Sequence, residues 1–118
     1  NFIFMSSIQG LGAPKFHHYV GTKINSCIEY SIIKAGIINM TKYLAKFYKG
    51  KNIRFNCISL GGINSNQPKK FIMNYKKSCL NKGLLDPEDI NSTIEYLVSN
   101  NSKNVNGQNI IVDDGWSI

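Results

Sequence analysis

The stretch EYSIIKAG (residues 29–36) opens the longest helix-like segment of the sequence and contains a tyrosine and a lysine four positions apart. On an α-helix this spacing places Tyr30 and Lys34 on one face, with their Cβ atoms roughly 5–6 Å apart. Tyrosine ordinarily ionises about three pH units above neutrality, and an ammonium group held beside it favours the phenolate. The pair is therefore a candidate proton-transfer site. Because such a motif also arises often by chance, its interpretation depends on the elements around it.

Strands are predicted on both sides of this helix. The apolar run FIFM (residues 2–5) is typical of a strand buried on both faces, as in a parallel sheet. Residues 53–58 predict a second strand and residues 109–113 a third. A long loop, residues 8–25, follows the first strand, and ordered loops of this length tend to be functional.

Helices are predicted over residues 26–49, over residues 68–82 and from Asp86 onward. Ser26 and Glu29 have the spacing of a capping box, which predicts that the first helix begins at Ser26. Its apolar residues surround much of the circumference, so we expect burial on more than one side. Asp86 followed by a proline is a strong helix start.

Strands that alternate with helices predict an α/β fold with right-handed crossovers. With three visible strands, we expect the C-terminal portion of a doubly wound Rossmann-type parallel sheet with flanking helices. Ligands of such sheets bind at the carboxyl ends of the strands. Ser7 and the pair Gly61–Gly62 follow two of these ends, and Tyr30 lies in the helix between them.

Composition argues against several other classes of protein. The net charge is +7, yet the lysines are dispersed and Arg54 is the single arginine, which disfavours a nucleic-acid-binding module. Cys27, Cys57 and Cys79 are odd in number and lack metal-site spacing, so we expect no metal and a reducing, cytoplasmic location. No apolar run is long enough to span a bilayer, and we expect no membrane partner.

The sequence resembles the C-terminal half of the short-chain dehydrogenase/reductases. Five collinear segments support the resemblance, which extends over essentially the whole chain: Ser6–Gly10, Tyr30–Gly36, Asn52–Ile58, Leu60–Ile63 and Gly107–Gly115. The resemblance implies an enzyme that transfers hydride between NAD or NADP and a small-molecule alcohol or ketone.

The resemblance also implies a role for individual residues. Ser7 would orient the substrate oxygen, Tyr30 would be the general acid/base, and Lys34 would tune the tyrosine and hold the nicotinamide ribose. The residues implied to bind the cofactor are Tyr30, Lys34, Leu60, Gly61, Ile63 and Ser65. Leu60 stands where the family usually has proline, and Ser65 takes the place of a threonine.

Residues 1–118 are expected to form a partial NAD(P)-binding Rossmann-type domain, because the glycine-rich dinucleotide loop of the family is not present. Alone, such a piece is expected to be inactive. The segments at residues 13–16 and 41–46 resemble the flagellin-modification (legionaminic-acid pathway) oxidoreductases. That subgroup implies a sugar or nucleotide-sugar substrate, and the family implies a homodimer or homotetramer of the full-length protein.

Two further interpretations remain open at this point: a truncated, catalytically inactive remnant and, less favoured, a basic nucleic-acid-binding module. For His17 and His18 we favour a solvated loop over a lid on the substrate. The lysines of residues 69–82 are more consistent with a solvated helix face than with a phosphate site. Asp113 and Asp114 are expected to cap a strand end or to contact another subunit.

Overall fold

The computed structural model describes residues 1–118 and contains one parallel sheet of three strands in the order β1-β2-β3. The strands are β1 (Phe2–Ser7), β2 (Phe55–Leu60) and β3 (Asn109–Val112). Ser7 is level with Leu60, which is level with Val112, so the carboxyl ends of all three strands meet at one edge. The predicted parallel α/β arrangement is confirmed, although β2 begins two residues later than residue 53.

The three helices are α1 (Ile28–Phe47), α2 (Lys69–Lys76) and α3 (Asn91–Val98). Helix α1 connects β1 to β2, while α2 and α3 lie between β2 and β3. Helix α2 is shorter than the predicted span of residues 68–82, because the chain turns after Lys76 and Gly83 adopts a φ of 97°. Before α3, residues Pro87–Ile90 form a 3-10 turn, and the Asp86 N–H donates to the Asp89 carboxylate at 2.8 Å.

The predicted capping box at the start of α1 is wrong. The helix begins at Ile28 with Cys27 at the N-cap position and no side-chain cap. The Ser26 hydroxyl donates instead to the side-chain oxygen of Gln9, in the turn that follows β1. A tertiary hydrogen bond has therefore replaced the local one that the sequence pattern predicts.

The core surrounds β2, all six residues of which are buried. One apolar cluster comprises Ile58, Leu60, Ile90 and Leu97. A second lies towards the carboxyl edge and comprises Ile8, Phe71, Tyr75, Leu84 and Trp116. Helix α2 contributes Phe71 and Tyr75, so the second cluster forms one wall of that edge.

The expectation that α1 is buried on more than one side is wrong for this chain. Ile28, Ile32 and Phe47 expose 72%, 63% and 67% of their surface, and Thr41 is the helix's only fully buried residue. The face that packs on the sheet is narrow, and no other segment of residues 1–118 covers the rest.

Two charged features have structural roles. The Arg54 guanidinium donates to the carbonyl oxygens of Leu97, Ser102 and Val105 at 2.8–3.2 Å. The Asp113 carboxylate accepts hydrogen bonds from the Gly115 and Ser117 N–H groups, which confirms the predicted strand-end cap. No helix is long and apolar enough to cross a bilayer, and no group of three or more potential ligands is arranged to hold a metal ion.

Candidate active site

A cleft of about 450 Å³ opens at the carboxyl edge of the sheet. Six of the residues singled out from the sequence line it: Ser7, Tyr30, Lys34, Leu60, Gly61 and Ile63. They come from the end of β1, the first turns of α1 and the segment after β2. The convergence of strand ends that the topology predicts therefore brings these residues together.

Tyr30 and Lys34 are neighbours on α1, as their spacing predicts. The Lys34 ammonium lies 5.4 Å from the centroid of the Tyr30 ring. It also donates a hydrogen bond of 3.0 Å to the Met5 carbonyl oxygen in β1. That bond fixes the ammonium between the strand and the tyrosine, and Tyr30 remains 41% exposed towards the cleft.

The end of β1 approaches the backbone of α1 very closely. The Ser6 hydroxyl donates to the Lys34 carbonyl oxygen at 2.8 Å. A Cβ atom placed on Gly10 would lie 2.6 Å from the Lys34 carbonyl carbon. Because that neighbour is helix backbone, it cannot rotate away, and the glycine is required for Tyr30 and Lys34 to keep their distance from Ser7.

We expect Gly10→Ala to destabilise the protein and to reduce catalysis. The added methyl group must push α1 away from the turn that follows β1, and overpacking of this kind costs about 1–3 kcal/mol of unfolding free energy. Thermal unfolding and steady-state rates measure the two effects. Gly12→Ala is the matched control, since a Cβ at Gly12 meets no atom within 4 Å. Equal melting temperatures for the two variants would contradict the close approach.

Ser7 is held in one orientation by the turn that follows it. Its side-chain oxygen accepts a hydrogen bond of 3.2 Å from the Gln9 N–H, and the residue is 7% exposed. No acceptor within the chain takes the Ser7 hydroxyl proton. A hydroxyl has one donor and two acceptor lone pairs, so Ser7 retains a donor that can be directed at a bound oxygen.

The turn after β2 rests on a buried tyrosine. The Gly61 N–H donates to Val112, and the Gly62 N–H donates to the Tyr75 hydroxyl oxygen at 2.6 Å. A Cβ on Gly62 would lie 2.6 Å from Leu84 and 3.1 Å from the Tyr75 ring. Burial raises the pKa of Tyr75, so this tyrosine stays neutral and acts as a support for the turn.

Ser65 does not line the cleft. It is exposed, and its N–H donates to the side-chain oxygen of Gln67 at 2.8 Å. Gln67 in turn donates to the Ile63 carbonyl oxygen and itself lines the cleft. The cofactor-binding role implied for Ser65 remains a prediction.

The expectation that both histidines are solvated is wrong for His18. His17 is exposed, but His18 is only 2% exposed, and its Nε2 lies 2.8 Å from the Ser78 hydroxyl. Burial, with smaller contributions from the charges of His17 and Lys15, lowers the pKa of His18 to about 4. Near neutral pH His18 is therefore an uncharged part of the cleft wall.

Sequence reasoning missed the part played in the cleft by Gln9, Lys15, Tyr75 and Trp116, and it wrongly placed His18 in solvent. Gln9 links the segments before α1, since its amide donates to Tyr19 and accepts from Ser26. Phe71 and Tyr75 are four positions apart on α2, a spacing that places both on the buried face of that helix. No local pattern indicated that Lys15 and Trp116 meet, because they are 101 positions apart in the sequence.

The family model described as enoyl-(acyl carrier protein) reductase matches residues 9–117, nearly the whole chain. The chain belongs to the short-chain dehydrogenase/reductase family. This family assignment agrees with the parallel sheet and with the grouping of Ser7, Tyr30 and Lys34 in one cleft.

Within the short-chain dehydrogenase/reductases, one similar relative is the post-translational flagellin modification protein A of Campylobacter coli. It is 48% identical over 118 residues, which cover 100% of this chain and 46% of that protein. The chain thus spans less than half the length of this curated relative.

Solved short-chain dehydrogenase/reductase structures show the same fold. A short-chain dehydrogenase from Leptospira borgpetersenii with bound NAD+ has a TM-score of 0.92 and 37% identity, covering 100% of this chain and 45% of that one. A 4-hydroxyisoleucine dehydrogenase complexed with NADH and succinate has a TM-score of 0.82 and 29% identity, covering 98% and 45%.

Proposed function

We propose that this chain supplies the proton-transfer part of an NAD- or NADP-dependent oxidoreductase that acts on a sugar or nucleotide-sugar alcohol or ketone. The observation that supports it best is the grouping of Ser7, Tyr30 and Lys34 around one cleft at the carboxyl edge of the sheet. Family membership favours this activity over a nucleic-acid-binding module or an inactive remnant.

The residues around the cleft have donors suited to a nicotinamide nucleotide. Lys34 uses one N–H on Met5 and keeps two that can reach ribose hydroxyls. The Ile63 N–H donates to no group of the chain, so it is available to a carboxamide oxygen. The apolar side chains of Leu60 and Ile63 lie beside these donors and suit a flat ring. When bound, the nicotinamide ring gives or accepts the hydride.

Ser7 is proposed to hold the substrate oxygen. Its orientation is set by the hydrogen bond from the Gln9 N–H, and its own hydroxyl proton can be donated to a carbonyl oxygen. This bond is stronger when that oxygen gains negative charge, which is the requirement for stabilising a transition state.

Tyr30 is proposed to transfer the proton. Its hydroxyl gives a proton to the oxygen of a ketone that is being reduced, or takes one from an alcohol that is being oxidised. The Lys34 ammonium, 5.4 Å from the ring, stabilises the phenolate that results from donation.

The sugar-like substrate is proposed from the resemblance of residues 13–16 and 41–46 to flagellin-modification enzymes and from the similarity to the Campylobacter coli protein. Polar groups of Gln9, Tyr19 and Asn25 line the cleft beside Tyr30 and can bind sugar hydroxyls. A cytoplasmic location and a homodimeric or homotetrameric full-length protein are part of the same proposal.

Hydride transfer to a panel of ketones tests this function. The protein at its native length is incubated with NADH or NADPH deuterated at C4 and with nucleotide sugars, free keto-sugars, steroid ketones or acyl thioesters. We expect deuterium in a sugar or nucleotide-sugar product. Deuterium transfer confined to the steroid or thioester ketones, or none to any member, would contradict the proposal.

A further inference from the structure

Both charged side chains that line the cleft are lysines. They are Lys15 and Lys34, and no aspartate or glutamate lines the cleft. Both ion pairs of the chain involve Lys82, on another part of the surface, so neither cleft lysine is neutralised by a carboxylate. The nearby Asp113 carboxylate accepts hydrogen bonds from two backbone N–H groups and does not line the cleft, and His18 is neutral near neutral pH. The side chains that line the cleft therefore carry a net positive charge.

Lys15 is fixed in place at this cleft. Its ammonium donates to the Trp116 carbonyl oxygen at 2.6 Å and lies 4.5 Å from the centroid of the Trp116 ring. Trp116 is itself 5% exposed and belongs to the buried cluster with Tyr75. A lysine on a rigid support loses less rotamer entropy on binding a ligand than a free surface lysine does.

The Lys15 ammonium, although fixed in place, retains N–H donors that can bind a ligand. An ammonium group has three N–H bonds, and Lys15 uses one on the carbonyl of Trp116. Its contact with the indole ring is made through the face of the ring and does not neutralise the charge. Two N–H bonds and the full positive charge therefore remain available in the cleft.

The two lysines have separate tasks. Lys34 is held between Met5 and the Tyr30 ring, at the proton-transfer end of the cleft. Lys15 enters from the loop between β1 and α1 and is supported by the C-terminal segment. Nothing in the proton-transfer chemistry requires a second ammonium, which leaves Lys15 to bind the substrate.

We propose that Lys15 is a specificity residue that binds an anionic group, a phosphate or a carboxylate, on the substrate. This inference rests on the proposed function and narrows it, because it selects charged substrates over neutral sugars. Hydrogen bonds between an ammonium and such oxygens are short and roughly twice as strong as neutral ones.

Calorimetric titration of the protein at its native length tests the anion site without any turnover. The probes are inorganic phosphate, malonate and, as a neutral control, glycerol. We expect the wild-type protein to bind phosphate or malonate and Lys15→Gln to bind the same anion at least about tenfold more weakly. Lys15→Arg retains the charge and should remain within about threefold of the wild type. Binding of phosphate without malonate indicates that the substrate carries a phosphate group, and binding of malonate without phosphate indicates a carboxylate.

Lys23→Gln is the matched control, since Lys23 is an exposed lysine of the same loop outside the cleft and its loss changes the net charge equally. The dissociation constant of the Lys23→Gln variant for the anion should be within about twofold of the wild-type value. Thermal unfolding of each variant checks that it is folded.

Lys15→Gln with unchanged anion affinity and a lower melting temperature would overturn the proposal and leave Lys15 a purely structural lysine. Failure of the wild type to bind either anion would also overturn it. Lys15-dependent anion binding without hydride transfer to any ketone would contradict the proposed oxidoreductase instead.

Discussion

Tyr30→Phe in the protein at its native length is expected to lower kcat by about 10²–10⁴-fold, the range that a positioned general acid or base contributes. The substitution removes the hydroxyl that donates the proton and keeps the ring beside Lys34. Cofactor affinity should change little, because Lys34 and the segment after β2 keep most of the contacts proposed for the nicotinamide nucleotide. Steady-state kinetics and a cofactor titration measure the two quantities separately.

Tyr43→Phe is the matched control for this prediction. Tyr43 lies on the same helix, is 63% exposed and is outside the cleft. The Tyr43→Phe variant should turn over substrate at close to the wild-type rate. If Tyr30→Phe retained turnover within about tenfold of the wild type, equivalent to about 1.4 kcal/mol of activation free energy, Tyr30 would not be the proton donor.

Lys34→Ala should damage both cofactor affinity and turnover, because one ammonium group has two tasks. Loss of hydrogen bonds from a charged donor to the ribose hydroxyls would weaken cofactor binding by about tenfold or more. Loss of the positive charge beside the phenolate would lower kcat, because that charge stabilises the phenolate formed by proton donation. Cofactor titration and steady-state kinetics measure these effects.

Lys42→Ala is the corresponding control, an exposed lysine of the same helix that does not line the cleft. A Lys34→Ala protein with an unchanged cofactor dissociation constant and an unchanged kcat would argue against the dual role. An effect on the rate alone would reduce Lys34 to a residue that acts only through Tyr30.

The parts of the site that the sequence predicts are those set by local spacing and by topology. Tyr30 and Lys34 meet because four residues of helix separate them. Ser7 and Leu60 line the same cleft because both lie at the carboxyl ends of their strands. Strands joined by crossovers are parallel, so these ends lie at one edge of the sheet. Neither inference needs knowledge of how side chains pack over long distances.

The parts that the sequence does not predict depend on contacts between distant segments. Ser26 has the pattern of a helix cap, yet its hydroxyl is used by Gln9. His18 lies in a loop and is expected from the sequence to be solvated, yet it packs against the aromatic rings of Tyr75 and Trp116. The pairing of Lys15 with Trp116 likewise results from tertiary packing, and only the structure shows it.

The exposed apolar surface of α1 also depends on contacts between distant segments. The sequence pattern predicts a helix that is covered on several sides, with Ile28, Ile32 and Phe47 among its apolar residues. Within residues 1–118 those side chains are exposed, because no element of the chain packs on them. The sequence pattern predicts that the apolar sides of α1 pack against other protein surface, and the exposure of these side chains shows that residues 1–118 do not supply that surface.

The most direct test of Tyr30 as the proton donor is the single-turnover rate of hydride transfer in the wild type and in Tyr30→Phe, each saturated with reduced cofactor before a keto-sugar or nucleotide-sugar ketone is added. We predict that both proteins bind the cofactor and that the variant transfers hydride at no more than about one hundredth of the wild-type rate. Hydride transfer by Tyr30→Phe at the wild-type rate would contradict it, because the proton would then come from a group other than the tyrosine of this cleft.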